Sequence, residues 1–197
     1  MRSYHRLSRI GLRAFGLAAL FISPAALASL DLSPQLDTFE LDGVAMSQLA
    51  FDTGSKVKAT YQPPQAWKYS GGGDVLELQP IGLGQVNAKI SKLPPAASFS
   101  FDTEGCRRLT QKVLTSLPEG SEQIKVISEE LNPLQIDGKQ TYLVELTYVY
   151  YGERIACYSL FLDRAPEMLL FRLSCRESNY EMLRGQFHRS LYSWQNL

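Results

Sequence analysis

The sequence contains few of the residues on which hydrolytic or metal-dependent chemistry usually depends. Among 197 residues there are two histidines and three cysteines. No C-x-x-C pair and no His-x-x-x-His spacing occurs, so a zinc site is disfavoured. No G-x-S-x-G motif marks a nucleophile, and Gly82-Leu83-Gly84 lacks the third glycine and the following helix of a phosphate-binding loop. We therefore expect no metal, no cofactor and no catalytic residues.

The first 28 residues have the three parts of a cleavable secretory signal peptide. Four arginines and no acidic residue occupy the first thirteen positions. An uncharged apolar run from Ala14 to Ile22 follows, and Ser23-Pro24 precedes the small-residue motif Ala26-Leu27-Ala28. These features are typical of an export signal, and the apolar run is shorter than a membrane span requires. We predict cleavage before Ser29, which leaves one domain over residues 29–197 in the periplasm or outside the cell.

After cleavage the chain has no excess of basic charge and no long hydrophobic run. Loss of the four arginines leaves 16 basic and 20 acidic residues, a formal charge of −4. Phosphate contacts need clustered Lys and Arg, so nucleic acid is not expected as a partner. No stretch after residue 28 is apolar enough to span a membrane. The composition therefore indicates a single domain that does not cross a bilayer.

The spacing of apolar residues predicts two helices among many strands. Residues 29–38 are predicted to be a polar lead-in. One apolar face predicts a helix over about residues 103–117, and Ser178 with Glu181 forms a capping box that opens a terminal helix. Strands are predicted near residues 39–51, where the tight-turn dipeptide Asp42-Gly43 interrupts the apolar spacing. Further strands are predicted near residues 57–61, 75–78, 86–90, 124–127, 139–151, 154–163 and 168–176. This order favours an α+β fold, a central antiparallel sheet flanked by helices.

The three cysteines allow three pairings in an oxidising compartment. If the last hairpin pairs Phe161 with Phe171, the same register places Cys157 opposite Cys175. A register shift of one residue would separate the two thiols. We therefore predict a Cys157–Cys175 bridge that depends on this register, with two reduced core thiols as the alternative.

The layout resembles that of the PsbP-like family. The segment Tyr61-Gln62-Pro63-Pro64-Gln65-Ala66-Trp67 leads into two strands, a helix and a meander, and the last helix carries Phe187-His188-Arg189-Ser190-Leu191. The resemblance extends over residues 50–197, and the fold is also used by a Ran-binding nuclear import factor and several bacterial envelope proteins. It implies a PsbP-like sandwich and a non-catalytic accessory or assembly role. Because fold does not determine function, no functional residue is carried over.

Four side chains are the candidates for a functional site. Trp67 and Tyr69, beside the loop Gly71-Gly72-Gly73, form a candidate ligand platform; alternatively, Trp67 plugs the end of the core. His188 is the single histidine after residue 28, and its plain interpretation is a residue on the helix surface. Cys106 lies near a helix start, where the dipole lowers a thiol pKa, but its apolar neighbours favour a buried inert thiol.

These patterns favour an exported, non-catalytic binding or accessory protein of the cell envelope. Its expected partner is an envelope protein or a small ligand. Two alternatives remain open: a hydrolase of unfamiliar type that uses His188 or Cys106, and an envelope stress or maintenance protein. The export signal and the missing catalytic set favour the first interpretation.

Overall fold

Long antiparallel strands dominate the computed structural model of the protein. The structure describes residues 29–52, 54, 58–93, 100–164 and 167–196. The predicted signal peptide, residues 1–28, lies outside the described residues, so its cleavage stays a prediction. No helix within the described ranges is long and apolar enough to cross a membrane.

The strands of the described residues form two sheets. In chain order they are β1 (Asp31–Leu41), β2 (Val44–Asp52), β3 (Lys58–Tyr61), β4 (Trp67–Gly72), β5 (Val75–Pro80), β6 (Asn87–Leu93), β7 (Glu122–Leu131), β8 (Thr141–Tyr150), β9 (Glu153–Arg164), β10 (Glu167–Arg176) and β11 (Gln195–Asn196). The larger sheet has the order β4-β5-β6-β10-β9-β8-β7, and the smaller sheet has the order β1-β2-β3-β11. Each strand is antiparallel to its neighbours.

Two helices complete the described part of the chain. Helix α1 (Thr103–Thr115) begins after Asp102, whose carboxylate accepts the backbone N–H of Gly105 at 2.7 Å; this helix was expected over about 103–117. Helix α2 (Glu177–Leu191) begins after Arg176, and that residue makes no side-chain cap hydrogen bond. The predicted capping box at Ser178 is therefore wrong, because Ser178 already lies inside the helix.

The predicted α+β class, with a central sheet flanked by helices, is wrong. The described chain is mainly β, and a second sheet of four strands accounts for much of the difference. Residues 29–38 are not a polar lead-in, because β1 begins at Asp31 and pairs with β2 at Asp31 and again from residue 35 onward. The alternation of apolar and polar residues that marks a strand is weak in this segment, since most of its side chains are exposed or half-buried on both faces of the hairpin.

The two faces of the seven-stranded sheet pack against different layers. Successive strand residues point to opposite faces. On one face, Leu109 and Val113 of α1 share a hydrophobic cluster with Val144 of β8. On the other face, Phe187 of α2 shares a cluster with Phe51 of the smaller sheet. One layer is therefore helix α1, and the other is α2 together with the four-stranded sheet.

The register of the last hairpin differs by one residue from the prediction. Phe171 of β10 lies opposite Leu160, not opposite Phe161. Glu167 pairs with Arg164 at the turn, and their side chains form an ion pair of 3.0 Å that fits this register. Strand β9 is buried on both faces, so its apolar pattern alone leaves the register open.

This register separates the two cysteines of the predicted bridge. Cys175 lies opposite Ala156, and Cys157 lies opposite Ser174. The thiols belong to the clusters on opposite faces of the sheet, and all three cysteines of the described chain are free. The predicted Cys157–Cys175 bridge is thus absent from the structure. Burial raises the pKa of Cys175 to about 11, as expected for an inert core thiol.

Candidate functional site

The two rings of the predicted ligand platform differ in exposure. Trp67 is 7% exposed and stacks on Phe187, with 6.2 Å between the ring centroids. Its indole N–H donates to Oε1 of Gln186 at 3.0 Å. Tyr69 is exposed and lines a surface groove of about 390 Å³ beside Lys68. Only Tyr69 of this pair is available to a ligand.

His188 of α2 is half-buried where this helix packs against the large sheet. Its Nδ1 lies 3.0 Å from the hydroxyl of Tyr158 in β9. Burial, and then the charge of Arg184, lower the pKa of His188, while burial raises the pKa of Tyr158. A neutral imidazole hydrogen-bonded to a buried phenol has a structural role here, because its partner is not a nucleophile with a lowered pKa.

Cys106 lies on α1, on the opposite side of the large sheet from His188. Burial raises the pKa of Cys106, and the carboxylates of Asp102 and Glu129 raise it further. A nucleophilic thiol needs the opposite shift. The sheet between the two residues also prevents them from acting as one pair. Within the described ranges, no group of three or more metal-ligating side chains could hold a metal ion.

A buried carboxylate that sequence patterns did not single out connects α2 to β8. Glu145 accepts a hydrogen bond from the hydroxyl of Tyr180 at 2.6 Å and two from the guanidinium of Arg184. The hydrogen bonds from Arg184 to Glu145 raise the pKa of that guanidinium. Since each charge has a partner, this network fits a structural ion pair better than an acid–base site.

The outer part of the β1–β2 hairpin, residues 37–48, forms an arm with an exposed apolar face. The turn at Asp42 and Gly43 has φ values of 51° and 79°, which suit a two-residue hairpin loop. This turn was predicted and is confirmed. It places Leu41 opposite Val44 and sets the register of the whole arm.

The two faces of the arm differ in polarity. Residues directly opposite each other on paired strands share a face. One face carries the pairs Leu41–Val44 and Phe39–Met46. The other face carries the pairs Glu40–Ala45 and Thr38–Ser47. Leu41, Val44 and Met46 are 54%, 61% and 36% exposed, so the apolar face is open to a partner.

Carboxylates border this apolar face. Residues 29–52 contain five acidic residues and no Lys, Arg or His, the acidic ones being Asp31, Asp37, Glu40, Asp42 and Asp52. Asp37 lies on the apolar face itself, one same-face position before Phe39, where its carboxylate accepts a hydrogen bond from Gln48 at 3.2 Å. Same-face positions on a strand are about 7 Å apart. The arm therefore offers a short apolar strip that ends in a negative charge.

Comparison with known proteins places this geometry on a known fold. No family model matches the sequence, and no curated protein matches it. The structure is similar to the solution structure of cyanobacterial PsbP from Synechocystis sp. PCC 6803, with a TM-score of 0.52 and 15% identity over 89% of this chain and 96% of that one. The fold is PsbP-like.

A second solved structure is less similar. It is a protein of unknown function from Pseudomonas aeruginosa, a suggested regulator, with a TM-score of 0.48 and 12% identity over 80% of this chain and 94% of that one. The PsbP-like fold that the sequence resemblance implied is thus confirmed by the cyanobacterial structure. At these identities the likeness concerns the fold alone, and neither protein assigns a role to a residue here.

The arm of this PsbP-like chain was not predicted, because its four apolar residues share a face only when the two strands pair. Phe39 and Leu41 before the Asp-Gly turn, and Val44 and Met46 after it, alternate so that a two-residue loop brings all four together. The absence of basic residues over 29–52 was also visible in the sequence. The exposure of these side chains could come only from the structure.

Proposed function

We propose that this protein is an exported, non-catalytic accessory protein that binds another protein through the apolar face of its arm. The observation that carries the proposal is the open apolar strip of Leu41, Val44 and Met46 on a hairpin without cations. The proposed partner presents an apolar surface bordered by Lys or Arg. The export part of the proposal is supported by the composition of residues 1–28.

Burial of the strip would supply the binding free energy. A fully buried Leu, Val or Met side chain contributes about 1.5–3 kcal/mol relative to an exposed one. A two-stranded ribbon is only marginally stable in water, so a partner that covers the apolar face would also hold the arm in one conformation. Three such side chains contribute about 4.5–9 kcal/mol at most, which is comparable to the association cost of about 4–15 kcal/mol, so the partner must also contact residues outside the strip.

The carboxylates favour a cationic protein over other occupants. Asp37, Glu40 and Asp42 would repel nucleic acid and anionic lipid headgroups. A face-to-face contact between two copies would bring the same carboxylates together. Charges at the rim of an interface act mainly on association rate and on partner choice. Complex formation should therefore weaken at high salt.

The non-catalytic part is supported by how the titratable groups are used. Glu145, His188 and Tyr158 have partners inside the fold, and the pKa of Cys106 is raised. These contacts disfavour the alternative of a hydrolase that uses His188 or Cys106. The pKa of an activated nucleophile or of its general base would be shifted toward the working pH.

Site-specific photocrosslinking in intact cells tests the binding proposal. A photoreactive residue at Val44 should give a discrete protein adduct, and the same residue at Ser47, on the opposite face of the arm, should not. Leu41→Ser and Met46→Ser should reduce the Val44 adduct at least several-fold, as should washing permeabilised cells with 1 M salt before illumination.

Three results would overturn the binding proposal. They are equal adducts from Val44 and Ser47, no adduct from Val44, and a crosslinked surface that contains no Lys or Arg. The mass of the protein purified after expression with residues 1–28 tests export separately, and a chain that starts at Met1 would contradict it.

A further inference from the structure

A buried carboxylate holds the beginning of the described chain. Glu167, the first residue of β10, is 8% exposed. Its Oε1 accepts a hydrogen bond from the hydroxyl of Ser29, and its Oε2 accepts one from the backbone N–H of Leu30 at 3.2 Å. Leu30 is fully buried beside it. Leu30 is therefore part of the folded core, and Ser29 is held at the surface beside it.

The surroundings of Glu167 contain two cations and a second carboxylate. Lys92 lies 2.7 Å from Asp74 and 4.0 Å from Glu167, and Arg164 lies 3.0 Å from Glu167. Lys92 is thus shared between the carboxylates of Asp74 and Glu167.

The carboxylate of Glu167 also has room for one more donor. A carboxylate offers about four acceptor positions. Ser29, Leu30 and Arg164 donate to three of them. Lys92, at 4.0 Å, is beyond direct hydrogen-bond distance of Oε1 and donates instead to Ser29 Oγ at 3.0 Å. A cation at the backbone nitrogen of Ser29 would complete the hydrogen bonds of this carboxylate.

We propose that Glu167 is the binding site for the α-ammonium group of Ser29 that signal-peptide cleavage creates. The Ser29 nitrogen is at most about 4 Å from its own hydroxyl oxygen by covalent geometry, and that oxygen contacts Glu167. Cleavage replaces a neutral peptide group with a positive charge at this point. Processing thereby stabilises the start of β1, the strand that carries the arm. The inference rests on the predicted cleavage, not on the proposed binding function.

A two-by-two comparison tests this site. One chain starts at Ser29 and the other at Ala26, which keeps three natural residues and moves the ammonium away. Each is made with Glu167 and with Glu167→Gln. With Glu167 present, the folding equilibrium constant of the Ser29 chain at pH 6.5 should be about tenfold larger than that of the Ala26 chain, as for a partly buried ion pair. With Glu167→Gln, the two chains should be equally stable.

The pH dependence of this gap has a defined sign. A free α-amino group has a pKa of about 7.7–8.0, and a bound ammonium next to Glu167 has a raised pKa. The extra stability is therefore complete below about pH 7.5 and is lost as the pH rises through the higher pKa of the folded chain. Urea unfolding at pH 6.5, 8.5 and 10 measures the gap at each pH.

Two outcomes would overturn the proposal. The first is that the Ser29 and Ala26 chains are equally stable with Glu167 present and lose the same stability on Glu167→Gln. Glu167 would then bind only the hydroxyl of Ser29 and the backbone N–H of Leu30. The other is independent of whether Glu167→Gln folds. At pH 7.5 an amine-reactive ester should acylate the terminus of the Ser29 chain at least several-fold more slowly than that of the Ala26 chain. Equal rates would overturn it.

Discussion

Trp194 is the residue at which the two sheets meet. Its ring stacks on Phe51 of β2 at 5.6 Å and meets Phe171 of β10 edge-on at 5.5 Å. The side chain is almost fully buried. Its indole N–H has no hydrogen-bond partner within the part of the chain that the structure describes. Apolar contact therefore stabilises this position, and the polar atom opposes it.

Replacement of Trp194 should show that its apolar contacts and its unpaired N–H have opposite effects on stability. We expect Trp194→Phe to change the free energy of unfolding by no more than about 1 kcal/mol, because loss of ring area is offset by removal of an unpaired N–H that costs about 1–3 kcal/mol. Trp194→Ala should cost about 3–5 kcal/mol. Urea denaturation measures both values.

Trp67 provides the matched control for this experiment. Its N–H is bonded to Gln186, so Trp67→Phe should cost more than Trp194→Phe. A Trp194→Phe loss as large as that of Trp67→Phe would contradict the assignment of an unpaired N–H.

At the scale of elements, helix α2 interacts with the large sheet through polar as well as apolar contacts. Leu183 and Phe187 enter the core, while Arg184 and His188 reach Glu145 and Tyr158. The polar pairs fix which residues of the helix face the sheet. They also connect the stability of this contact to pH through the single histidine of the described chain.

His188 should make the protein less stable in acid. Because its pKa is lowered in the folded state, the unfolded chain binds its proton first. Protonation of His188 therefore does not affect stability above the pKa of about 6.5 that this residue has in the unfolded chain. Stability falls as the pH decreases below that pKa. His188→Asn, which keeps a hydrogen-bond acceptor for Tyr158, should lose less stability between pH 7.5 and 5 when measured by urea unfolding. Equal losses in both proteins would contradict this expectation.

Sequence patterns predicted the elements that have one clear period and missed those that do not. The helix at α1 and the Asp42-Gly43 turn follow from local signals, a one-sided apolar face and a dipeptide that tolerates positive φ. The register of β9 against β10 was wrong by one residue because β9 is apolar on both faces. The smaller sheet was missed since it joins β3 to β11, which lie more than 130 residues apart in sequence.

The same distinction applies to the site. Trp67 and Tyr69 are aromatic residues near a glycine loop, but only Tyr69 is exposed. Glu145 is a single charge in an apolar strand, and its partners Tyr180 and Arg184 come from a distant helix. Such pairings depend on tertiary packing, which single-sequence periodicity does not contain.

At the scale of the whole molecule, the arm and the body have different roles. The hydrophobic clusters include the base of the hairpin through Leu32, Leu49 and Phe51, whereas Leu41 and Val44 at its outer end are exposed. Folding therefore depends on the base of the hairpin, and the proposed binding depends on its outer part. The two can be separated by changing the length of the hairpin.

A shortened arm should keep the fold and lose the partner. Replacing residues 38–47 with Asn-Gly leaves Asp37 opposite Gln48 and closes the hairpin with a favoured two-residue loop. We expect the thermal midpoint to change by less than about 5 °C, because the removed side chains are mostly exposed. Circular dichroism measures the midpoint, and crosslinking from the intact chain provides the reference for binding. A fall of more than about 10 °C would show that the arm belongs to the core.

The position of β11 has a consequence for the order in which the chain can be completed. Gln195 and Asn196 pair with β3, and Trp194 just before them packs on Phe51. A polypeptide that emerges with its N-terminus first exposes β1 to β3 long before these last residues arrive. The smaller sheet must therefore be the final layer to close. A chain truncated after Ser193 would lack both the closing strand and the indole beneath it.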